Sequence, residues 1–421
     1  MRAEPWFVGA AALLVGAATA CGNTDRPHTG MTSIVDTTAL TMSAGGNILS
    51  GCVASFDSTR DYFPEKSQAV SAKQFTVEYH RNFKILTVTP REDTTLRIRY
   101  ALVQCGTPAP SGFDARRVIE VPVRRMAITH SDYHGVIDTL NLYSQVLAIS
   151  QEKVVSLPRM RAALAEGTMR AVGSQHHLDL EQLIALKPDV ILSYWSVSPE
   201  WNAPAKVDEV GLKSGALVGH WERTPLGALD WLKVVAMYVN REGDANAIVA
   251  GVSARYDSLR ARVQQNAGRD SVHYITAFPA GDNWELQRAD HSAYTRMQDA
   301  GLVYAFRPLI DESDFPSTTL EAAIVHGSAA DVWFGAPARW KSTADIIATD
   351  ARLSAFRAVG RGQVYSWRRG ASESDRVPYS ERWLAHPDEV LGDIIAATHP
   401  ALLPGHTFHY LQRVPAAPSA R

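Results

Sequence analysis

Residues 179–195, DLEQLIALKPDVILSYW, decide the fold, because a weaker copy stands at 320–334, LEAAIVHGSAADVWF. In the first copy Asp179 is placed to cap a short helix, and Gln182, three residues on, completes an approximate capping box. Leu180, Leu183 and Ile184 give that helix one apolar face, and Pro188 stops it. VILSYW follows directly and is β-branched and aromatic without alternation, the pattern of a strand covered on both faces. In the second copy Leu320-Glu321 again opens a short helix, and Ala330-Asp331 again leads into a strand, VWF. Two such units in two halves of one chain predict two similar α/β lobes.

The first lobe opens with RVIEVPV (117–123) and MAIT (126–129), both read as strands of its main sheet. A helix to about Leu142, a strand at 145–150, a helix at 158–166, a helix at 205–210 and a strand at 216–218 complete it. Thr224-Pro225 is a strong helix start, a capping hydroxyl followed by proline at the first helical position. Leu226, Leu229, Leu232, Val235 and Val239 form its apolar stripe. Gly243 breaks it, and Asp244 caps a second helix to about Gln264, roughly 30 Å long at the usual rise and able to cross between lobes. The second lobe continues with strands at 273–277, 332–334 and 363–366 and helices at 292–300, 320–325, 350–359 and 387–398. Alternation of this kind implies parallel, doubly wound sheets.

Upstream, Phe75, Val77 and Tyr79 alternate, 84–88 is a second strand, and Leu96, Ile98, Tyr100 and Leu102 alternate again, a β meander. The expected organisation is an N-terminal leader (1–21), a polar tether (22–51), a β-rich N-terminal extension (52–116), an N-terminal α/β lobe (117–223), connecting helices (224–265), a C-terminal α/β lobe (266–410) and a tail (411–421).

With 421 residues, 46% hydrophobic, 20% charged and a net charge of −2, the chain has the composition of a globular protein and no electrostatic footprint for nucleic acid. At the N-terminus, Arg2 precedes an apolar run from Trp6 to Ala20, which includes GAAALLVGAATA and suits a secretory signal. Small residues immediately before Cys21 resemble a bacterial lipobox, which makes Cys21 the expected lipid anchor. Ala18, where the pattern prefers Leu, and Glu4, in a region that should be basic, depart from it, and an ordinary cleaved signal peptide is the alternative. Cys52 and Cys105 remain, an even count that in an oxidising compartment favours one disulfide over two separate buried thiols.

Three stretches carry a resemblance: VGSQHHLDLEQLIALKPDVIL (172–192), TPLGALDWLKVVAMYVN (224–240), and DAGLVYAF (299–306) with STTLEAAIVHGSAADVWF (317–334). They resemble the substrate-binding proteins of ABC importers for ferric siderophores, haem and vitamin B12, over about 117–404. HRNF (80–83) and LVQCGTPAP (102–110) are similar to a subgroup with an extended N-terminus. The resemblance implies two α/β lobes joined by one long helix, here 244–264, with ligand in the cleft between them. It also implies that Glu181 and Glu321, one per lobe, dock onto arginines of the membrane permease. Both open helices, where the dipole favours a carboxylate, so stabilising their own helices is the other reading.

Ligand residues are sought in loops at strand C-termini. The first lobe offers His130, Tyr133, His134, Gln175, His176, Tyr194, Trp195, His220 and Trp221; the second offers Trp284, Trp367, Arg368 and Arg369. Aromatic rings cover a flat macrocycle or catecholate, and arginines pair with its acidic groups. His130 and His134, at i and i+4, also fit direct metal capture, with His176 or His220 completing the set. No hydrolase elbow, Walker loop, HExxH or dinucleotide fingerprint is present. The expectation is a monomeric, non-enzymatic, lipid-anchored extracytoplasmic protein without a cofactor. It captures a ferric siderophore or related metal macrocycle and hands it to an ABC permease. Haem or cobalamin binding, bare metal-ion binding and a periplasmic hydrolase are the alternatives.

Overall fold

The structure, a computed structural model, describes residues 41–42, 46–174, 176–266, 271–310, 316–337, 339–371 and 377–416. Cys21 and Gln175 lie outside the described residues. Two separate five-stranded sheets form the two lobes. In the first the spatial order is Ser214–Leu217, Val190–Tyr194, Met126–Ile128, Val146–Ile149, Arg170–Ala171, all parallel. The order turns back between Met126–Ile128 and Val190–Tyr194, which leaves a crevice beyond their C-terminal ends. In the second lobe Leu302–Tyr304, Val272–Ile275, Val332–Phe334 and Val364–Ser366 are parallel, and Gln412–Arg413 closes the edge antiparallel.

The duplicated unit is built as its sequence dictates. Asp179 accepts the Gln182 amide at 2.9 Å and caps helix Leu180–Leu186. Lys187 ends it in the left-handed conformation at φ 50°, and strand Val190–Tyr194 is buried along its first four residues. Ile184, expected on the apolar face, is exposed; Leu183 carries the contact. In the second copy Thr319 caps helix Leu320–Gly327, and strand Val332–Phe334 is wholly buried.

RVIEVPV does not join the main sheet. Strand Val118–Val121 runs parallel to Ile98–Gln104, completing a four-stranded extension sheet whose other strands, Phe75–Tyr79 and Phe83–Val88, are antiparallel. The distinction lies in patterning: Ile119 and Val121 are buried with Glu120 exposed between them, as in a sheet covered on one face. Met126–Ile128 is buried at every residue. A disulfide joins Cys52 to Cys105, next to this strand.

Helix Pro225–Tyr238 begins at a Thr224 cap as expected but is buried almost all round, not along a stripe. The extension covers what would have been its polar face. Asp230 accepts the amides of Val70, Ser71 and Ala72 at 2.8, 2.6 and 3.0 Å. Glu222, just before the helix, accepts those of Lys73 and Gln74 at 3.0 and 3.1 Å. Lys84 reaches across to Met237 O at 2.6 Å and to the Glu242 carboxylate, both side chains fully buried.

The connecting helix is Glu242–Gln265, 24 residues, or about 36 Å. Asp244 is not its cap: the turn is made at Asn240, φ 57°, and Asp244 sits in the first turn paired with Arg241 at 2.6 Å. Helix Pro387–Thr398 is tied to it by Arg255–Asp388 at 2.6 Å. Sequence patterning misses strand Leu302–Tyr304, the small sheet of Pro279–Ala280, Asn283–Glu285 and Ser317–Thr319, and helices Thr343–Thr349 and Pro378–Arg382. The helix expected at 350–359 is a 3-10 turn, Ala351–Ala355, followed by one short turn, Arg357–Gly360. No described helix is long and apolar enough to cross a membrane.

Candidate functional site

Beyond the strand ends of the first lobe lies a cavity of about 720 Å³, within the range of small-molecule sites. His176, Tyr194, Ser196, Val197, Ser198, Trp201 and Trp221 form its first-lobe side; Arg91 and Glu92 of the extension and Arg288 of the second lobe complete it. The strand Val190–Tyr194, buried on both faces, delivers Tyr194 to the crevice at its C-terminal end, and the loop that follows carries Trp201. Trp201 stands edge-on to His176 with centroids 4.3 Å apart. The 3-10 turn Gly219–Trp221, after the next strand, brings in Trp221, and the Arg288 guanidinium lies over its ring at 5.7 Å.

Behind this wall the other histidine candidates are locked into the fold. His130 Nε2 and His220 Nδ1 are 3.1 Å apart, and Tyr194 stacks on His220 at 4.7 Å. Burial, then the neighbouring His134 and His176, hold the His130 imidazole down to about 3. Burial, then His130, keeps His220 well below its ordinary value, and burial also lowers His176. All three rings are therefore neutral near pH 7, and the positive charge at the cavity belongs to Arg91 and Arg288. Burial raises the Tyr194 phenol, with Glu92 adding to the effect, so it stays protonated.

Of the residues expected to hold ligand, His176, Tyr194 and Trp221 line the cavity. Tyr133 is buried and accepts the Gly219 amide at 3.1 Å. His134, fully buried, turns to Glu381 of the second lobe at 2.8 Å. The two lobes meet there backbone to backbone: a Cβ at Gly135 would stand 2.5 Å from Glu381 O. His130 and His134 therefore point to different partners rather than to one metal, and no group of three or more His, Cys, Asp or Glu among the described residues could hold an ion. Trp195 and Trp284 are core, the latter donating to Thr276 O at 2.8 Å. Trp367 stacks on Tyr379 at 4.5 Å, away from the cavity. Arg368 lines a separate 230 Å³ pocket with Trp340 and Lys341, and Arg369 is exposed.

Residues 127–370, more than half of the chain, match the family model described as periplasmic binding protein. The chain belongs to the periplasmic binding protein family. Its resemblance to the substrate-binding proteins of iron-chelate, haem and vitamin B12 importers leads to the same family. An uncharacterized lipoprotein of Methanocaldococcus jannaschii is 24% identical over 307 residues, 70% of each chain. CeuE of Helicobacter pylori, solved with Ni(II) bound, aligns at a TM-score of 0.53 and 15% identity, covering 69% of this chain and 88% of that one. A periplasmic haem-binding protein of Pseudomonas aeruginosa aligns at 0.53 and 15%, covering 69% and 98%. These likenesses concern the fold of a periplasmic binding protein, and the family's members are substrate-binding components of transport rather than enzymes.

The family match opens inside the first main-sheet strand, so the extension lies outside it. Arg91, Glu92, Ser196, Val197, Ser198, Trp201 and Arg288 are the lining residues that sequence reasoning does not find. Trp201 follows a strand read as such, and a longer view of the loop after VILSYW would have included it. Arg91 and Glu92 sit in a hairpin loop of the extension, whose contact with the cavity is a matter of tertiary docking alone.

Proposed function

We propose that this periplasmic binding protein is an extracytoplasmic, lipid-anchored capture component for a metal chelate, a ferric siderophore or a related macrocycle such as haem or cobalamin. The observation that carries this reading is the interlobe cavity: aromatic walls from Tyr194, Trp201 and Trp221 beside two guanidinium groups, at strand ends where this fold class binds ligands. Its chemistry suits a flat or aromatic ligand with acidic groups. That one protein of this fold was solved with Ni(II) bound and another is a haem-binding protein accords with a metal-bearing ligand. The divergence of His130 and His134 disfavours a bare ion. The relative named a lipoprotein supports anchoring through Cys21. The test is native mass spectrometry of the protein purified without denaturation from its own host: a one-to-one adduct with a metal chelate is expected, whereas an unliganded chain that turns over an ester or phosphate substrate contradicts it.

Delivery to an ABC permease is assigned to Glu181 and Glu321. Both lie in the first turns of exposed helix starts, one per lobe. Glu321 sits in an acidic cluster, paired with Arg352 at 2.5 Å, which also grips Asp350 at 2.7 Å and Asp282 at 3.0 Å. Three carboxylates around one cation leave a net negative patch for permease arginines. The double substitution Glu181→Ala, Glu321→Ala is expected to leave ligand affinity unchanged and abolish uptake in cells; normal uptake would end the docking assignment.

A further inference from the structure

The loop between the second and third extension strands, residues 89–97, contributes Arg91 and Glu92 to the cavity. Its backbone is fixed to the first lobe through Gln74. The Arg91 amide donates to Gln74 Oε1 at 2.8 Å, and Gln74 in turn donates to Glu222 Oε1 at 3.1 Å and to Val218 O at 3.3 Å. Glu92 accepts the Val197 amide at 3.1 Å, tying the same loop to the segment after Val190–Tyr194. From that base Arg91 crosses to the second lobe, donating to Asp290 O at 2.9 Å and pairing with the Asp290 carboxylate. Arg288 pairs with the same carboxylate at 3.1 Å while lying over Trp221. One carboxylate thus stands between two guanidinium groups that both line the cavity. Burial pushes Asp290 up, but Arg288, Arg91 and Arg223 together bring it below the usual carboxylate range, so it remains an anion.

We propose that the N-terminal extension is a third wall of the ligand site, and that Arg91, with Arg288, selects a ligand bearing a carboxylate or catecholate, Asp290 being the internal acid with which that group competes. The proposal rests on reading the cavity as the ligand site. A guanidinium recognises a planar anion with paired, charge-assisted hydrogen bonds, which an uncharged ligand of the same size does not repay. It follows that the extension, though outside the residues matching the family, sets which chelate the shared fold accepts. The two-sided grip of Arg91 and Arg288 on Asp290 also makes a definite sign prediction. Removing the competitor strengthens binding of an anion, whereas a pair that merely latches the lobes weakens binding whichever side is removed.

The experiment titrates the full chain by tryptophan quenching with two probes, a trianionic ferric tris-catecholate and an uncharged ferric trihydroxamate. Arg91→Gln is expected to lose about tenfold to a hundredfold in affinity for the anionic probe, and at most about twofold for the uncharged one. Asp290→Asn is expected to gain about threefold or more for the anionic probe. Arg97→Gln, which removes a like charge from the same loop outside the cavity, serves as the control and should match wild type. Equal losses for both probes in Arg91→Gln, an unchanged Arg91→Gln, or a weakened Asp290→Asn would overturn the proposal. If wild type binds only the uncharged probe, the selection by Arg91 is wrong while the binding function stands. If it binds neither of these two, nor haem or cobalamin when those are titrated in the same way, the functional reading itself falls.

Discussion

His130 stands where the first main-sheet strand meets the crevice, and its chemistry is that of a core residue. Sequence spacing put it with His134 on one helix face, but the backbone does not continue as one helix between them. His130 is extended, at φ −119°, before the 3-10 turn Ser131–Tyr133, and the α-helix starts only at His134. The i and i+4 rule assumes an unbroken helix, so the rings diverge, one to His220 and the other to Glu381. A consequence can be measured. In the unfolded chain this imidazole titrates near 6.5, and in the fold it is held to about 3. Between those values the folded protein binds fewer protons than the unfolded chain, so stability present above about pH 6.5 is lost as pH falls through the window, by up to about 1.4 kcal/mol per pH unit. The melting temperature of wild type is expected to fall more on acidification from about pH 7 to about pH 4 than that of His130→Gln. Parallel falls in the two proteins would contradict the assignment.

At the scale of elements, the repeated helix–strand unit was legible because its signals are local: a cap, a proline stop, and an unalternating β run. The helix Pro225–Tyr238 was legible in position and not in environment. Asp230 and Lys233 lie off the apolar stripe, yet both are buried, because segment 70–74 folds over them and gives its amides to Asp230 and Glu222. That partner lies some 160 residues away, beyond the reach of periodicity. The same docking explains Lys84, a charge in the middle of a strand that is paired with Glu242 at the start of the connecting helix. Removing one member of a fully buried pair leaves the other uncompensated. Glu242→Gln and Lys84→Met are therefore each expected to lower unfolding stability in urea by about 3–5 kcal/mol, with the double replacement costing clearly less than their sum. Additive costs would show that the extension does not dock through this pair.

At the scale of the molecule, two lobes were expected and two separate sheets are found, with the connecting helix between them in the chain. What the sequence could not express is the third body. Alternation marked the extension as a meander, but RVIEVPV reads with the main body, although the structure pairs it with the extension. Nothing in a meander announces that its loop closes a cavity built by other segments. Ligand residues were legible where they follow recognisable strands, as His176, Tyr194 and Trp221 do. They were not where they depend on docking, as Arg91 does. Aromatic residues chosen by type alone, Trp195 and Trp284 among them, proved to be packing, the commoner fate of large rings. The central claim is that the crevice between the lobes takes one small metal complex. It is met most directly by calorimetric titration of the purified chain with ferric catecholate, ferric hydroxamate, haem and cobalamin in turn. One of these is expected to saturate the protein at one molecule per chain, and Tyr194→Ala with Trp221→Ala to abolish that heat; heats of dilution alone across the whole panel, or saturation undiminished in the double variant, would contradict it.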